Sequence, residues 1–374
     1  MDLNELRGQI DSIDEQIVRL YEERMDVCRQ VAEYKIETGK KIYDRVREEE
    51  KLAKAREMAH SDFTARGIGE LFEQIMSMSR KLQYQLLTEK GQTGRLPFFA
   101  VDELYAGKVR VVFQGAEGAY SQAAMMRYFG EQIDSVQVDT FRDAMGALEE
   151  GRADFAVLPI ENSTAGIVSE IYDLLVEFEN YIVGEQIIKI EHCLLGVPGA
   201  SLSDIRTVYS HPQSLMQSSR FLAAHSWQQV SMKNNAFAAR KVAEDGRLDQ
   251  AAVASEYAGK IYGLRVLQKP VNNVSTNSTR FIIVTNQKIF RRDAGKVSIC
   301  FEVPHESGSL YQMLSHFIYN HINMTKIESR PIEGRAWEYR FFVDFEGNLA
   351  DGAVKNALRG LREEASSLKI LGNY

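Results

Sequence analysis

The first 96 residues contain no proline, and from Leu3 onward apolar side chains recur at Leu6, Ile10, Ile13, Ile17 and Leu20, then at Val27, Val31 and Tyr34. Steps of three and four make a heptad seam. One unbroken helix to about Glu37 holds roughly 35 residues and spans about 50 Å at the helical rise of about 1.5 Å per residue. A compact domain of about 90 residues cannot bury such a rod along its length, so a second chain is expected to cover it. Gly39 stands where a C-terminal cap belongs. Asp44 is placed to N-cap a second helix from Arg45 to about Ala59. A third helix is expected from about Phe63 to Leu87, with Phe72, Ile75, Met76, Leu82 and Leu86 on one stripe. Residues 1–88 therefore predict an intertwined all-helical dimer.

Polar residues interrupt this apolar grammar. Arg24 falls where the seam calls for an apolar side chain, and Lys35, eleven residues on, points the same way. Arg7 lies off that stripe and in an intertwined dimer would serve the partner's pocket. Arg47 and Glu48 sit in the first turn of the second helix. Ser79 and Gln83, four apart, occupy the apolar stripe of the third. A guanidinium inside a helical bundle is costly unless an anion pairs with it. Three arginines and a lysine converging there predict a small polyanion, and a dicarboxylate suits the bidentate Arg fork. Taken singly, each cation also fits a solvated site paired with Glu22, Glu23 or Glu37; the polar pair on the third helix favours a ligand.

Thr88–Gly107 shows little periodicity, and residues 89–107 are expected to be a linker. Strand and helix signals then alternate. Apolar runs at Val109–Phe113, Asp154–Leu158, Arg206–Tyr209 and Phe281–Val284 are expected strands, with one helix following Ser210–Leu215 to about Ala224. Gly151–Ser163 (GRADFAVLPIENS) echoes Gly246–Ala258 (GRLDQAAVASEYA), 95 residues apart. Two similar α/β lobes would place their polar loops at the carboxyl ends of strands, facing one cleft, where helix-start amides attract anions. The last segment orders as strand (Val297–Val303), helix (Ser309–Asn320), strand (Met324–Glu328), strand (Tyr339–Phe345), helix (Ala350–Ala365) and strand (Leu368–Leu371). That βαββαβ order is ferredoxin-like.

Composition sets the outer limits. The 374 residues call for more than one domain. Lys+Arg 45 against Asp+Glu 52 gives a net charge of −7, a poor match to nucleic acid. Cys28, Cys193 and Cys300 are dispersed and odd in number, which argues for a reducing cytoplasm. The acidic start is no signal peptide, and no stretch is apolar enough for a membrane span. With no His/Cys cluster at ligand spacing and no GxGxxG after a strand, neither metal nor cofactor is expected.

Leu6–Leu87 resembles the all-helical chorismate mutase of the P-proteins, bifunctional chorismate mutase/prephenate dehydratases. The family's site residues match Arg7, Arg24, Lys35, Asp44, Arg47, Glu48, Ser79 and Gln83 with no gap before the third helix. The resemblance implies a Claisen rearrangement of chorismate to prephenate, needing neither nucleophile nor proton transfer. The protein holds the reactive conformer and stabilises charge on the ether oxygen. Arg7 of the partner chain, Arg24 and Arg47 would bind the ligand carboxylates and backbone region. Lys35 and Gln83 would address the ether oxygen, and Glu48 the ring hydroxyl.

Gly115–Gln122 (GAEGAYSQ), Pro159–Gly166 (PIENSTAG), Ser210–Leu215 (SHPQSL) and Asn277–Phe281 (NSTRF) together resemble prephenate dehydratase over Val109–Asn286. The family implies a two-lobed α/β domain like the periplasmic binding proteins, here residues 108–287. Its reaction removes CO2 and hydroxide from prephenate, and aromatisation to phenylpyruvate supplies driving force. By resemblance Thr279 is a positioned donor to the departing hydroxyl, with Asn162, Ser210 and Gln217 assisting; Glu161 is an alternative acid. Ser121, Ser163, Thr164, His211 and Gln213 are expected at the substrate, and Arg280 as a carboxylate clamp.

Residues 295–374 resemble an ACT domain. Glu328–Pro331 (ESRP) matches the family motif, and Gly308–Leu310 (GSL) stands where the family has Gly-Ala-Leu. The resemblance implies L-phenylalanine as feedback effector between paired ACT domains, contacting Gly308, Ser309, Leu310, Glu328, Ser329 and Arg330. The whole then predicts a cytoplasmic homo-oligomer, dimer or tetramer, of L-phenylalanine biosynthesis, with no nucleic-acid or membrane partner. Two rivals stand beside it: a non-catalytic amino-acid-binding regulator whose helices only dimerise, and an arogenate dehydratase fused to a mutase.

Overall fold

The computed structural model describes residues 2–91 and 96–374. The chain divides into two units, one formed by Met1–Pro97 with Gly295–Lys369 and one by Phe98–Ala294 with Ile370–Tyr374.

The first unit opens with α1 (Leu3–Thr38), capped by the Asp2 carboxylate on Asn4 N–H and closed by Gly39 at φ 66°. The heptad spacing did foretell one long rod. Its seam is uncovered in the single chain: Ile10, Ile13, Ile17 and Leu20 are each more than half exposed, and Ala32 is the residue α1 buries. Asp44 caps α2 (Arg45–Glu57), accepting from Arg47 N–H at 3.1 Å. This helix stops two residues short of expectation, because Ser61 and Thr64 form a reciprocal capping box that starts α3 (Asp62–Glu89).

The second unit runs β1 (Phe99–Val101), β2 (Arg110–Gln114), α4 (Tyr120–Phe129), β3 (Asp134–Val138), α5 (Phe141–Glu149), β4 (Phe155–Asn162), β5 (Gly166–Ile167), α6 (Ser169–Glu177) and β6 (Tyr181–Lys189). It continues with β7 (His192–Gly196), β8 (Thr207–Ser210), α7 (Pro212–Gln217), α8 (Ser219–Ala223), β9 (Gln228–Ser231), α9 (Asn235–Asp245), β10 (Gln250–Ser255), α10 (Glu256–Ile261), β11 (Arg265–Gln268), β12 (Ser278–Thr285) and β13 (Ile289–Arg291). One lobe orders its strands β6-β12-β4-β2-β3, the other β11-β7-β10-β8-β9. The internal echo is structural: β4 and β10 are both buried strands beside parallel neighbours, β2 then β3 in one lobe, β8 then β9 in the other. The chain crosses between lobes twice, after β6 and before β12. The two crossings are tied by Val271 N–H to His192 O and Ile190 N–H to Asn277 O, both 2.9 Å.

Two expectations fail here. The stretch expected as a linker carries β1, whose Phe99–Val101 pairs in parallel with Ile289–Arg291; its residues 92–95 lie outside the described residues. The single helix expected to Ala224 breaks at Ser218, where α7 ends and α8 begins.

The C-terminal module returns to the first unit: β14 (Lys296–Glu302), α11 (Ser309–Tyr319), β15 (Met324–Ile332), β16 (Arg335–Glu346), α12 (Gly352–Glu364) and β17 (Ser367–Asn373), in sheet order β15-β16-β14-β17. This is the expected βαββαβ order. The central strands are longer than expected because they form one hairpin through Gly334 at φ 76°. The module does not stand apart from the helices, as the boundaries 1–88 and 295–374 imply. α12 packs on α3 and buries Arg80, Lys81 and Tyr84.

Gly360 on α12 faces His316 on α11, and a Cβ there would lie 2.3 Å from His316 Cε1. Gly360→Ala should therefore destabilise the unit by about 1–3 kcal/mol through overpacking. Calorimetry should show the corresponding transition several degrees lower, and an unchanged midpoint would contradict the α11–α12 packing.

Candidate active sites

The two lobes of the second unit enclose a cleft of about 280 Å³. Ser121, Asn162, His211, Gln213, Gln217 and Thr279 all line it. The strand register makes this meeting: Thr279 on β12 stands directly opposite Asn162 on β4. The Asn162 carbonyl Oδ1 accepts from the backbone N–H groups of Thr164 (3.0 Å) and Ala165 (2.9 Å), which settles the amide's orientation. Its Nδ2 must then donate, to Asn277 Oδ1 at 2.8 Å and Thr279 Oγ1 at 2.9 Å. The Thr279 oxygen is thus an acceptor in the network, and its own hydrogen remains for a ligand.

A second layer holds Asn162. The Thr164 hydroxyl donates to Asn162 Oδ1 at 2.8 Å and accepts from Gln217 Nε2 at 2.7 Å. With the Gln217 nitrogen so used, its Oε1 accepts from His192 Nε2 at 3.1 Å. His192 Nδ1 lies 3.1 Å from the Tyr120 hydroxyl, whose single hydrogen is shared between that nitrogen and Glu191 O at 2.9 Å. Burial lowers the pKa of His192, which favours the neutral tautomer this chain of bonds requires. His211 is also pulled down by burial, and its Nδ1 accepts from Gln213 N–H at 3.2 Å.

No Lys, Arg, Asp or Glu lines the cleft among the described residues. Its anion-attracting character comes from backbone amides at the starts of α4 and α9, whose first turns reach it. Asn234 adds a side-chain donor: its Oδ1 caps α9 at Phe237 N–H (2.8 Å), while its buried Nδ2 meets no hydrogen-bond partner. Gly118 lets the lobes close, since a Cβ there would sit 2.8 Å from Ala258 Cα. Neither Asn234 nor His192 emerged from sequence reasoning. Asn234 carries an N-cap signal after β9, whereas His192 opens an apolar strand with no turn signature.

Ser121 belongs to the cleft wall, whereas Arg280, Glu161, Ser210 and Ser163 are absent from it. Adjacent residues on a strand face opposite sides, so Thr279 and Asn162 face in while their neighbours pair outside: Arg280 lies 3.6 Å from Glu161 and 2.9 Å from Glu185, and donates to the Tyr374 hydroxyl at 2.8 Å. Ser210 is buried beneath the cleft, its hydroxyl committed to Val253 O and Asn235 Oδ1 (3.1 Å). Ser163 braces the loop instead, accepting from Ser278 N–H at 3.0 Å. Ser121 lines the cleft with its hydroxyl donating to Gln114 O at 2.6 Å.

In the helical segment, Arg24 Nη1 donates to Ser79 Oγ across α1 and α3. Gln83, one turn on, is buried with its Oε1 unpartnered. Lys35 Nζ donates to Ile42 O at 2.6 Å; burial lowers its pKa, against the pull of Asp44 and Glu48. Glu48 pairs with Arg80. Two expected members stand apart in the single chain: Arg47 is exposed and 3.4 Å from Glu50, and Arg7 is exposed on α1. Asp44 serves as the α2 cap.

In the C-terminal module, Ser309 and Leu310 line an apolar hollow with Trp337, Tyr339 and Phe341. Gly308, at φ 81°, starts α11. Glu328, Ser329 and Arg330 do not join them in that hollow; they lie on edge strand β15, opposite Phe342, Phe341 and Arg340.

Two family models match the chain: chorismate mutase type II over residues 6–84 and prephenate dehydratase over residues 111–289. A bifunctional chorismate mutase/prephenate dehydratase of Escherichia coli (strain K12) is 33% identical over 378 residues, covering 99% of this chain and 95% of that protein. The arogenate dehydratase/prephenate dehydratase 1 of Arabidopsis thaliana is 39% identical, over 71% of this chain and 72% of its own. Among solved structures, a prephenate dehydratase from Arthrobacter aurescens in complex with L-Phe aligns with a TM-score of 0.66 at 28% identity, over 71% of this chain and 89% of that one. No helix among the described residues is long and apolar enough to cross a membrane. Matched by both family models and aligned almost end to end with a curated relative, the chain belongs to the bifunctional chorismate mutase/prephenate dehydratase family.

Proposed function

We propose that the helical segment rearranges chorismate to prephenate and that the α/β cleft converts prephenate to phenylpyruvate, in one cytoplasmic enzyme of L-phenylalanine biosynthesis. The orientation of the Asn162 amide carries the dehydratase half, because it leaves the Thr279 hydroxyl as a donor inside an anion-attracting cleft. Prephenate enters with two carboxylates and one secondary, doubly allylic ring hydroxyl. The amides of α4 and α9 and the Asn234 Nδ2 hold the anions. Thr279 donates to the departing hydroxyl as the ring carboxylate leaves as CO2 and the ring becomes aromatic. The pairing of Glu161 with Arg280 at 3.6 Å supports Thr279 over Glu161 as the donor.

The arogenate alternative has support from the Arabidopsis relative, but arogenate carries an ammonium where prephenate has a keto group. No carboxylate lines the cleft among the described residues to receive it, which favours prephenate.

In the mutase half, Arg24, Lys35, Glu48, Ser79 and Gln83 form the part of the site that one protomer supplies, and Arg47 closes over the ligand. A second copy covers the apolar seam of α1 and brings its Arg7 across. The dianion fits where a half-buried Arg and Lys meet two helix surfaces, with the Gln83 side-chain NH2 as a neutral donor. The C-terminal module acts as an ACT sensor for L-phenylalanine, with the amide-rich start of α11 beside the aromatic hollow as its receiving surface. Inhibition then follows from unequal effector affinity for two states of the enzyme.

Thr279→Val should lower dehydratase kcat about 100-fold or more, as loss of a positioned hydrogen-bond donor to developing negative charge does. Thr279→Ser should keep most activity, and mutase kinetics should not change. Steady-state assays of both reactions check this, and a Val variant with normal dehydratase kinetics would remove Thr279 from the step. Asn234→Asp keeps the α9 cap but replaces a donor with a like charge. It should raise KM for prephenate about tenfold or more, the scale of one hydrogen bond to a charged group; an unchanged KM would take Asn234 out of the cradle. Arg24→Ala should cost the mutase about 100-fold or more in kcat/KM while the dehydratase persists. Parallel loss of both activities in folded protein would contradict separate sites.

A further inference from the structure

Arg80 on α3 belongs to none of the residue sets described above, yet its side chain is only 7% exposed. Its guanidinium pairs with Glu48 of the mutase segment and, through Nε, with Glu364 Oε1 of the C-terminal module at 2.8 Å. It also lies over the Tyr43 ring, 4.9 Å from the centroid. Glu364 is the last residue of α12 and is 5% exposed, with its second oxygen 3.2 Å from His316 Nε2. A carboxylate at a helix C-terminus sits against the negative end of the macrodipole. Burial opposes its charge as well, yet His316 and Arg80 keep its carboxyl below the usual range. Around this pair, Tyr84 donates to Glu363 Oε2 at 2.7 Å and Lys81 Nζ donates to Ser315 Oγ at 2.7 Å. Burial draws Lys81 down to about 8.

These bonds make Glu48 part of a rigid relay rather than a free surface carboxylate. One oxygen is held by a guanidinium that water hardly reaches, and that guanidinium is held in turn from α12. Two carboxylates sharing one buried Arg fork cannot move independently.

We propose that Arg80 is a positioning residue of the mutase reaction: it sets the Glu48 carboxylate for the substrate's ring hydroxyl, and Glu364 of the C-terminal module sets Arg80. The hold of α12 on α3 thereby tunes mutase turnover. This rests on the reading that Glu48 meets chorismate.

The test uses the full chain, with mutase kcat and KM and dehydratase kinetics measured on the same preparations of Arg80→Gln, Arg80→Lys, Glu364→Gln and Glu48→Ala. Arg80→Gln should lower mutase kcat about tenfold or more with KM moved less, Arg80→Lys should recover part of it, and Glu364→Gln should give a smaller loss of the same kind. The double variant Arg80→Gln/Glu364→Gln should be no worse than Arg80→Gln alone. Dehydratase kinetics should be unchanged throughout, which reports folding. Mutase kcat within about twofold of the parent in Arg80→Gln, or fully additive losses in the double variant, overturns the proposal. Should Arg80→Gln not fold, unaltered mutase kcat in both Arg80→Lys and Glu364→Gln overturns it equally. An inactive Glu48→Ala beside an active Arg80→Gln rejects Arg80 alone, whereas a fully active Glu48→Ala rejects the underlying placement of Glu48.

Discussion

The uncovered seam of α1 constrains everything upstream of the α/β unit. A helix of 36 residues that buries Ala32 and leaves Ile10, Ile13, Ile17 and Leu20 more than half exposed cannot rest alone in water. Each such aliphatic side chain gains about 1.5–3 kcal/mol on full burial, so the seam is a strong demand for a second helical surface. The polar residues follow from that demand. Arg24 interrupts the seam and reaches Ser79 on α3, and Lys35 reaches back to the turn before α2. Their charges are half-buried already in one protomer, and a covering chain would withdraw them further from water. A doubly acidic ligand then balances them.

The cleft of the α/β unit solves a different problem by different means. It must hold an anion and release hydroxide and CO2, and among the described residues no Lys or Arg side chain lines its walls. Helix-start amides and Asn234 supply diffuse positive character. A train of amides and hydroxyls, from His192 through Gln217 and Thr164 to Asn162, aims one donor at Thr279. Such a train is cooperative, because each group's orientation is settled by the one before it. It also explains why a threonine suffices: the oxygen is already satisfied as an acceptor, so the hydroxyl hydrogen points to the ligand.

Much of this was legible from residue order. The three-and-four spacing of α1, the GRADF/GRLDQ echo that becomes β4 and β10, and the βαββαβ order of the last segment are periodic signals, and periodicity survives folding. What escaped was of another kind. β1 is three residues long and exists only through its pairing with β13, and β7 is a continuous apolar run that announces no face. His192 was hidden for that reason. Strand alternation bears on Arg280 and Glu161 too, since Thr279 and Arg280 are neighbours on a strand and face opposite sides. The union of α3 with α12 was not readable from local pattern at all. It depends on Arg80, Lys81 and Tyr84 finding partners more than 200 residues away.

Each mutase site is proposed to be built from two chains, one supplying Arg24 and the other Arg7. Arg7→Ala and Arg24→Ala chains, each inactive as a mutase when assembled alone, should regain activity when unfolded together and co-refolded. A mixed dimer then carries one site with both mutations and one with neither. Recovery of mutase turnover in the mixture, with dehydratase turnover constant in all three samples, is the predicted result. A mixture no more active than either parent would contradict a shared site and leave the seam of α1 without its explanation.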